Sequence, residues 1–113
     1  DNPQAHALLA EVHAQCGAYP QALEHYRAAL HSPLGQHPDW QVRLALGFAY
    51  VSLQTGEPEN AIATLQAALH QHPAHERLQH ALYAAYCKAG LHREARSQLE
   101  SLFPLYADAP ASL

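Results

Sequence analysis

The chain has 113 residues, enough for one small domain with a buried core. Its composition is 49% apolar and 14% charged, and it contains no apolar run of the roughly 20 residues that a membrane span needs. The formal net charge of -4 lacks the basic excess that is typical of nucleic-acid-binding proteins. We therefore expect a soluble globular protein that binds no nucleic acid; its compartment, cytoplasmic or periplasmic, stays open.

The two cysteines, Cys16 and Cys87, are far apart, and neither has a second cysteine nearby. They form neither a CxxC redox motif nor a zinc knuckle. We expect two free thiols packed as small hydrophobic residues.

Three segments of the chain align on a glycine, and in each an alanine follows five residues later. They are GAYPQALEHYRAAL from Gly17, GEPENAIATLQAAL from Gly56 and GLHREARSQLESLF from Gly90. The glycines are 39 and then 34 residues apart. Most of the difference lies in four inserted residues, because AALHSPLGQHP in the first copy corresponds to AALHQHP in the second. This periodicity indicates a repeat protein.

Each copy contains two helical patterns. In the first copy, four apolar residues at helical spacing (Leu8, Leu9, Val12, Cys16) precede Gly17, which favours a left-handed helix cap. Pro20 and Pro58 fall in the first turns of the next helices, where a missing N–H is harmless. The second helix continues on one face with Leu23, Tyr26, Ala29 and Leu30.

The middle pair of helices is predicted over Trp40–Thr55 and Pro58–Gln71, and the third pair over His75–Ala89 and His92–Tyr106. The sequence therefore predicts six helices in three antiparallel pairs. The stretch WQVRLALGFAYVSL has apolar residues that cannot all share one helix face, which predicts a middle helix covered on several sides.

These paired helices resemble the tetratricopeptide repeat family, whose pattern is W-x2-L-G-x2-Y, then A-x3-F, then P. The first copy matches it with His6, Leu9, Ala10 and His13, then Ala22, Tyr26 and Pro38. The middle copy matches best with Arg43, Leu46, Gly47 and Tyr50, then Ala61, Leu65 and Pro73, and the third with Gln79, Leu82, Tyr83 and Tyr86, then Ala95 and Leu99. Because Gly47 precedes its alanine by 14 residues rather than 12, the middle first helix is expected to be longer or locally out of register.

The resemblance implies an all-α fold, a right-handed α-solenoid of three antiparallel helix pairs. The repeats span approximately 4–38, 39–73 and 74–107 of a single domain, 1–113. Asp1-Asn2-Pro3 looks like the closing turn of a preceding repeat, and YADAPASL has no polar capping character, so we expect a piece of a longer array. Its uncapped end (Leu99, Leu102, Phe103, Leu105) is expected to promote self-association into homo-oligomers.

Catalysis and cofactor binding have no support in the sequence. The acidic residues are scattered, the five glycines are isolated, and no nucleophile has an evident base, so we expect neither an enzyme nor a cofactor. A metal site is the one chemical alternative, because His70, His72 and His75 gather around a proline. Two helical ligands usually lie four residues apart, as in HExxH, so we expect most of these histidines to be surface or helix-end residues.

The family resemblance also places the functional surface on the concave side, which is lined by the first helix of each pair. The residues expected there are Glu11, Gln15, Arg43, Tyr50, Gln54, Arg77, His80 and Lys88. Three of the six basic residues (Arg43, Arg77, Lys88) are among the positions on this face, which suggests an acidic or C-terminal peptide as ligand; the alternative is that they only solvate the surface. Ala7 and Glu11 stand where a carboxylate clamp for chaperone tails would need Lys and Asn, so such a clamp is not expected.

The sequence thus predicts a protein-interaction module or scaffold that binds a protein or peptide in its groove. The alternatives are a self-assembly module and a histidine-based metal-binding protein.

Overall fold

Six α-helices form the fold of residues 2–102, which are the residues that the computed structural model describes. They are α1 (Pro3–Gln15), α2 (Tyr19–Leu30), α3 (Pro38–Gln54), α4 (Pro58–Gln71), α5 (Glu76–Lys88) and α6 (His92–Leu102), with a 3-10 helix (Pro33–Gln36) between α2 and α3. No strand occurs in this part of the chain. The predicted all-helical fold is confirmed. The end of the third repeat at 107, with Phe103, Leu105 and Tyr106, lies outside the described residues.

Three glycines end the first helices in the same way. Gly17, Gly56 and Gly90 have φ of 79°, 79° and 75°, the left-handed region that glycine adopts without steric cost. In each turn the amide of the residue after the glycine donates to the carbonyl of the residue four positions before the glycine, at 2.8, 2.8 and 2.9 Å. The left-handed cap predicted at Gly17 is confirmed, and Gly56 and Gly90 share its geometry, which lets each second helix return along the first.

The helices stack in chain order, and α3 lies in the middle of the stack. It packs against α1, α2, α4 and α5, so its apolar residues divide between two cores. Leu44, Phe48 and Val51 belong to the first core, whereas Ala45 and Ala49 belong to the second. This explains why no single helix face accounts for its apolar sequence.

Serial stacking gives a molecule of 54 × 26 × 18 Å. No helix between residues 2 and 102 is long and apolar enough to cross a membrane.

The predicted motif residues of the middle repeat are displaced by two positions. α3 has 17 residues, against 13 in α1 and 13 in α5, and all three end two residues before their glycine. The extra turn therefore lies at the N-terminus of α3 and does not alter the register that follows. Measured from the glycine, the equivalents of His6, Leu9, Ala10 and His13 are not Arg43, Leu46, Gly47 and Tyr50 but the buried Ala45, Phe48, Ala49 and Ser52.

The apolar stripe that predicted α1 is not its buried face. Leu8, Leu9 and Val12 are 49%, 45% and 54% exposed, and the buried residues of α1 are Ala7 and Ala10. Cys16 and Cys87 are free thiols, as predicted, but the prediction that they are packed is wrong, because both are exposed. In α3 and α5 the corresponding stripes are covered by the preceding helix pair, and no helix of the described residues covers that of α1.

The four inserted residues form part of the packed structure rather than a loose loop. Ser32 caps the 3-10 helix, its Oγ accepting from the amide of Leu34 at 3.2 Å. Gly35 is buried against α2, and a Cβ at this position would overlap the backbone carbonyl of Leu30. The absence of a side chain at Gly35 is what lets the insertion lie against the end of α2.

We predict that Gly35→Ala lowers the free energy of unfolding by about 1–3 kcal/mol, the usual cost of overpacking. Alanine restricts the unfolded chain, which alone would stabilise, but a backbone atom of Leu30 cannot move aside cheaply. Urea unfolding checks this, with the exposed neighbour in Gln36→Ala as control. Equal stability of Gly35→Ala and the wild type would contradict the packed role of the insertion.

A second prediction concerns Ser52, which is 0% exposed and whose Oγ has no hydrogen-bond partner. A buried unsatisfied hydroxyl costs free energy, so Ser52→Ala is expected to raise the free energy of unfolding by about 1 kcal/mol. The matched control is Ser97→Ala on the exposed side of α6, which gains only helix propensity. A Ser52→Ala variant no more stable than the wild type would mean that the hydroxyl is satisfied in solution.

Candidate partner-binding groove

A cavity of about 830 Å³ opens on the side of the stack where α1, α3 and α5 lie next to one another. α3 supplies its floor with Val42, Leu46, Gly47 and Tyr50, and α1 contributes Glu11. We call this cavity the groove. Its size is within the range of pockets that bind ligands or protein side chains.

A bidentate ion pair joins two helix pairs across the groove. Arg43 donates from Nε and Nη2 to the carboxylate of Glu11 at 2.6 and 2.7 Å. Its guanidinium also stacks over the ring of Trp40, 4.7 Å from the centroid. The hydrogen bond to Glu11 is the main cause that raises the pKa of Arg43. The charge of Arg43 is therefore largely compensated within the chain.

Tyr26 of α2 reaches the groove beside Gly47 of α3, where no side chain blocks it. The side chain is only 3% exposed, and a Cβ at Gly47 would overlap its hydroxyl. Burial, followed by the negative charge of Glu11, raises the pKa of Tyr26 to about 12. The phenol therefore stays protonated even at alkaline pH, and its O–H can donate a hydrogen bond to a ligand in the groove.

One end of the groove carries a single arginine without a carboxylate partner among the described residues. Arg77, in the first turn of α5, is exposed and lines the groove beside His72 and His75. His72 is held by Gln41, with 2.9 Å between ring Nε2 and Oε1, while the enclosed Nδ1 of His75 has no partner among the described residues. In residues 2–102 the two ion pairs are Glu11–Arg43 and Arg96–Glu100, so Arg77 has no carboxylate partner there.

The predicted groove residues fall into three groups. Glu11, Arg43, Tyr50 and Arg77 line the groove, and Gln15 lines an adjoining depression of about 400 Å³ that shares Glu11 and Tyr50. The remaining three are exposed residues that line neither cavity: Gln54, His80 and Lys88.

The three basic residues do not form one patch. Arg43 is compensated by Glu11, and Lys88 lies at the opposite end of α5 from Arg77, roughly 16 Å away along the helix axis.

The groove residues absent from the predicted set include Tyr26, Gly47, His72 and His75. The sequence places Tyr26 only on one face of the second helix and at a family motif position, and the signal for its second role is the glycine opposite it in α3. His72 and His75 were considered as metal ligands. Among residues 2–102 no group of three or more His, Cys, Asp or Glu side chains has an arrangement that would hold a metal ion.

A different set of histidines is brought together by the fold. His6 and His25 have their Nδ1 atoms 3.0 Å apart, and His13 stacks on His25 with ring centroids 5.3 Å apart and an interplanar angle of 1°. The positions that hold His6 and His25 also meet in the third pair, where Gln98 donates to the carbonyl of Gln79 at 3.3 Å. The cluster therefore follows from the pairing geometry of α1 with α2.

The comparisons with known proteins agree with this architecture. The model of the tetratricopeptide repeat family matches residues 17–84 and, in an overlapping match, residues 52–112. Searches of curated proteins and of solved structures found no match to this chain. The two family matches together cover more than half of the sequence and include five of the six helices in full. On this evidence the chain belongs to the tetratricopeptide repeat family.

Proposed function

We propose that this chain is a protein-interaction module that holds an acidic or carboxy-terminal peptide segment in the groove, with Arg77 as its main charged anchor. Tetratricopeptide repeats generally mediate protein–protein interaction or scaffolding, and the charges and shape of the groove favour this class of peptide. The observation that carries it is a single cavity that joins an apolar floor to one uncompensated cation.

The shape of the groove suits a side chain presented by an extended or helical segment. Val42 and Leu46 are partly buried apolar residues of its floor, and Tyr50 stands at its edge with 53% of its surface exposed. Exposed aromatic residues next to an apolar floor are typical anchors in protein interfaces. An apolar side chain of the partner would cover this floor and remove Tyr50 from water.

The charges of the groove favour a carboxylate at its α5 end. Glu11 and Arg43 compensate each other, and Arg77 faces the cavity without such a partner in the described chain. Arg77 also lies in the first turn of α5, where the free amides add positive partial charge. A guanidinium binds a carboxylate through two parallel hydrogen bonds, so one acidic group of the partner would satisfy it. Asp39 lines the groove as well and disfavours a highly acidic ligand along its whole length.

For the groove, we predict that Arg77→Glu weakens the binding of acidic peptides about tenfold or more, because it replaces a charge-assisted hydrogen bond by repulsion. The probe is an array of short acidic, neutral and basic peptides with free or amidated carboxyl termini. Fluorescence anisotropy then gives the dissociation constant of each retained peptide. Acidic peptides with a free carboxyl terminus should bind most tightly to the wild type.

The matched control is Arg93→Glu, which makes the same charge change at an exposed position of α6 outside the groove. It should retain the affinity of the wild type. Equal losses in both variants would show that only net charge matters and would contradict an anchoring role for Arg77. Preferential retention of basic peptides would overturn the acidic assignment.

Another substitution in the groove is expected to strengthen the binding of acidic peptides. Glu11→Gln removes the carboxylate that compensates Arg43, so a second guanidinium becomes available and acidic peptides should bind several-fold more tightly. The same variant should bring the pKa of Tyr26 below about 12, because the charge of Glu11 contributes to its rise. Alkaline titration of tyrosine absorbance measures that shift independently of any ligand.

Glu24→Gln is the control, since Glu24 is an exposed carboxylate of α2 that does not line the groove. It should change neither the affinity nor the pKa of Tyr26. If Glu11→Gln lowers the pKa of Tyr26 and still leaves peptide affinity unchanged, the peptide does not contact Arg43.

A further inference from the structure

The exposed stripe of α1 occupies the positions that α3 and α5 use for stacking. Twelve, eight and five residues before its glycine, α3 has Leu44, Phe48 and Val51, and α5 has Leu78, Leu82 and Ala85. All six are buried against the preceding helix pair. The same positions in α1 are Ala5, Leu9 and Val12. Leu9 and Val12 are 45% and 54% exposed, so α1 presents a stacking face that no described residue covers.

The complementary stripe is found on the second helices. Nine and twelve residues after its glycine, α2 has Tyr26 and Ala29, and α4 has Leu65 and Ala68, all buried in the cores that receive the stripes of α3 and α5. The equivalents in α6 are Leu99 and Leu102, and Leu99 is 37% exposed. The described chain therefore carries both halves of one further junction.

A polar pair at the α4–α5 junction indicates how the two halves would meet. Gln66 Nε2 donates to the hydroxyl of Tyr86 at 2.9 Å. Gln66 lies ten residues after the glycine of its repeat, and Tyr86 lies four residues before the glycine of the next repeat. The residue at the first of these positions in α6 is Glu100, and at the second in α1 it is His13. A carboxylate would thus face an imidazole, which is a complementary pair.

We infer that a second copy of this chain docks head to tail, with α6 of one copy packed on α1 of the next. This junction buries Leu99 and Leu102 against Leu9 and Val12, and it places Glu100 beside His13. Such a contact is heterologous: each addition leaves one α1 face and one α6 face open, so assembly continues beyond the dimer. The surface is separate from the groove, and the inference does not depend on the proposed ligand.

The first experiment measures molar mass by light scattering over a range of protein concentrations. The wild type is expected to grow beyond its monomer mass of 12.4 kDa, whereas Leu9→Glu and Leu99→Glu should each stay at that mass. Both leucines are exposed in the structure, so their substitution should leave the fold intact, and far-ultraviolet circular dichroism checks this. Leu91→Glu, at a leucine that is 39% exposed in the turn before α6, is the matched control and should assemble like the wild type.

Mixing the two variants is the decisive test of the head-to-tail arrangement. Leu9→Glu keeps an intact α6 face and Leu99→Glu keeps an intact α1 face, so together they should form a 1:1 complex of twice the monomer mass and nothing larger. If two α1 faces instead met each other, Leu99→Glu alone would still dimerise and the mixture would contain no heterodimer. That result overturns the proposal, as does a wild type that stays monomeric up to about 1 mM.

The polar pair gives an independent readout. His13→Glu places two carboxylates together and should weaken association, and adding Glu100→Lys in the same chain should restore it. Failure of the second change to restore association contradicts the proposed register. Arg77→Glu should leave assembly unchanged, which separates this result from any failure of the groove hypothesis.

Discussion

The left-handed glycine that closes each first helix is the constraint on which the rest of the structure depends. Because Gly17, Gly56 and Gly90 turn the chain in the same way, a residue's distance from its glycine determines which neighbour its side chain meets. The extra turn of α3 shows how strict this is: it is added at the far end of the helix, and the stacking positions keep their spacing from Gly56. The first helices of this array differ in length, but the stacking positions keep the same distance from the glycine.

The helices and their caps were predictable because they depend on local sequence: the glycines, the prolines in first turns and the apolar periodicity. The burial of α1 was not, because it depends on a neighbour. Leu8, Leu9 and Val12 are more hydrophobic than Ala7 and Ala10, yet the alanines are buried, since small side chains allow α2 to approach closely. In the middle repeat the family motif matched positions that are two residues out of register, and the reason is related. Gly47 matched the pattern, but its role is to leave room for Tyr26.

The position of the groove follows from the order of the repeats, whereas its chemistry depends on contacts between repeats. Repeat order places α1, α3 and α5 side by side, and Glu11, Arg43, Tyr50 and Arg77 of these helices line one cavity. Whether a charge is available to a ligand is a different question, because it depends on contacts between residues far apart in sequence. The pairing of Arg43 with Glu11 spans 32 positions and joins two repeats, and no local pattern encodes it. Counting basic residues therefore overestimated the positive charge of this face.

The ion pair also shows that the groove is a property of junctions rather than of single repeats. The two positions of the ion pair lie six residues before the glycine of one repeat, as Glu11 does, and thirteen residues before the glycine of the next, as Arg43 does. The first junction holds Glu11 and Arg43, and the second holds Tyr50 and Arg77. At a junction between two copies the same positions would hold Ala84 and Gln4, which carry no charge. Stacking of copies would therefore lengthen this surface without adding a charge at these two positions, and Arg77 would stay the one uncompensated guanidinium that each copy contributes to its groove.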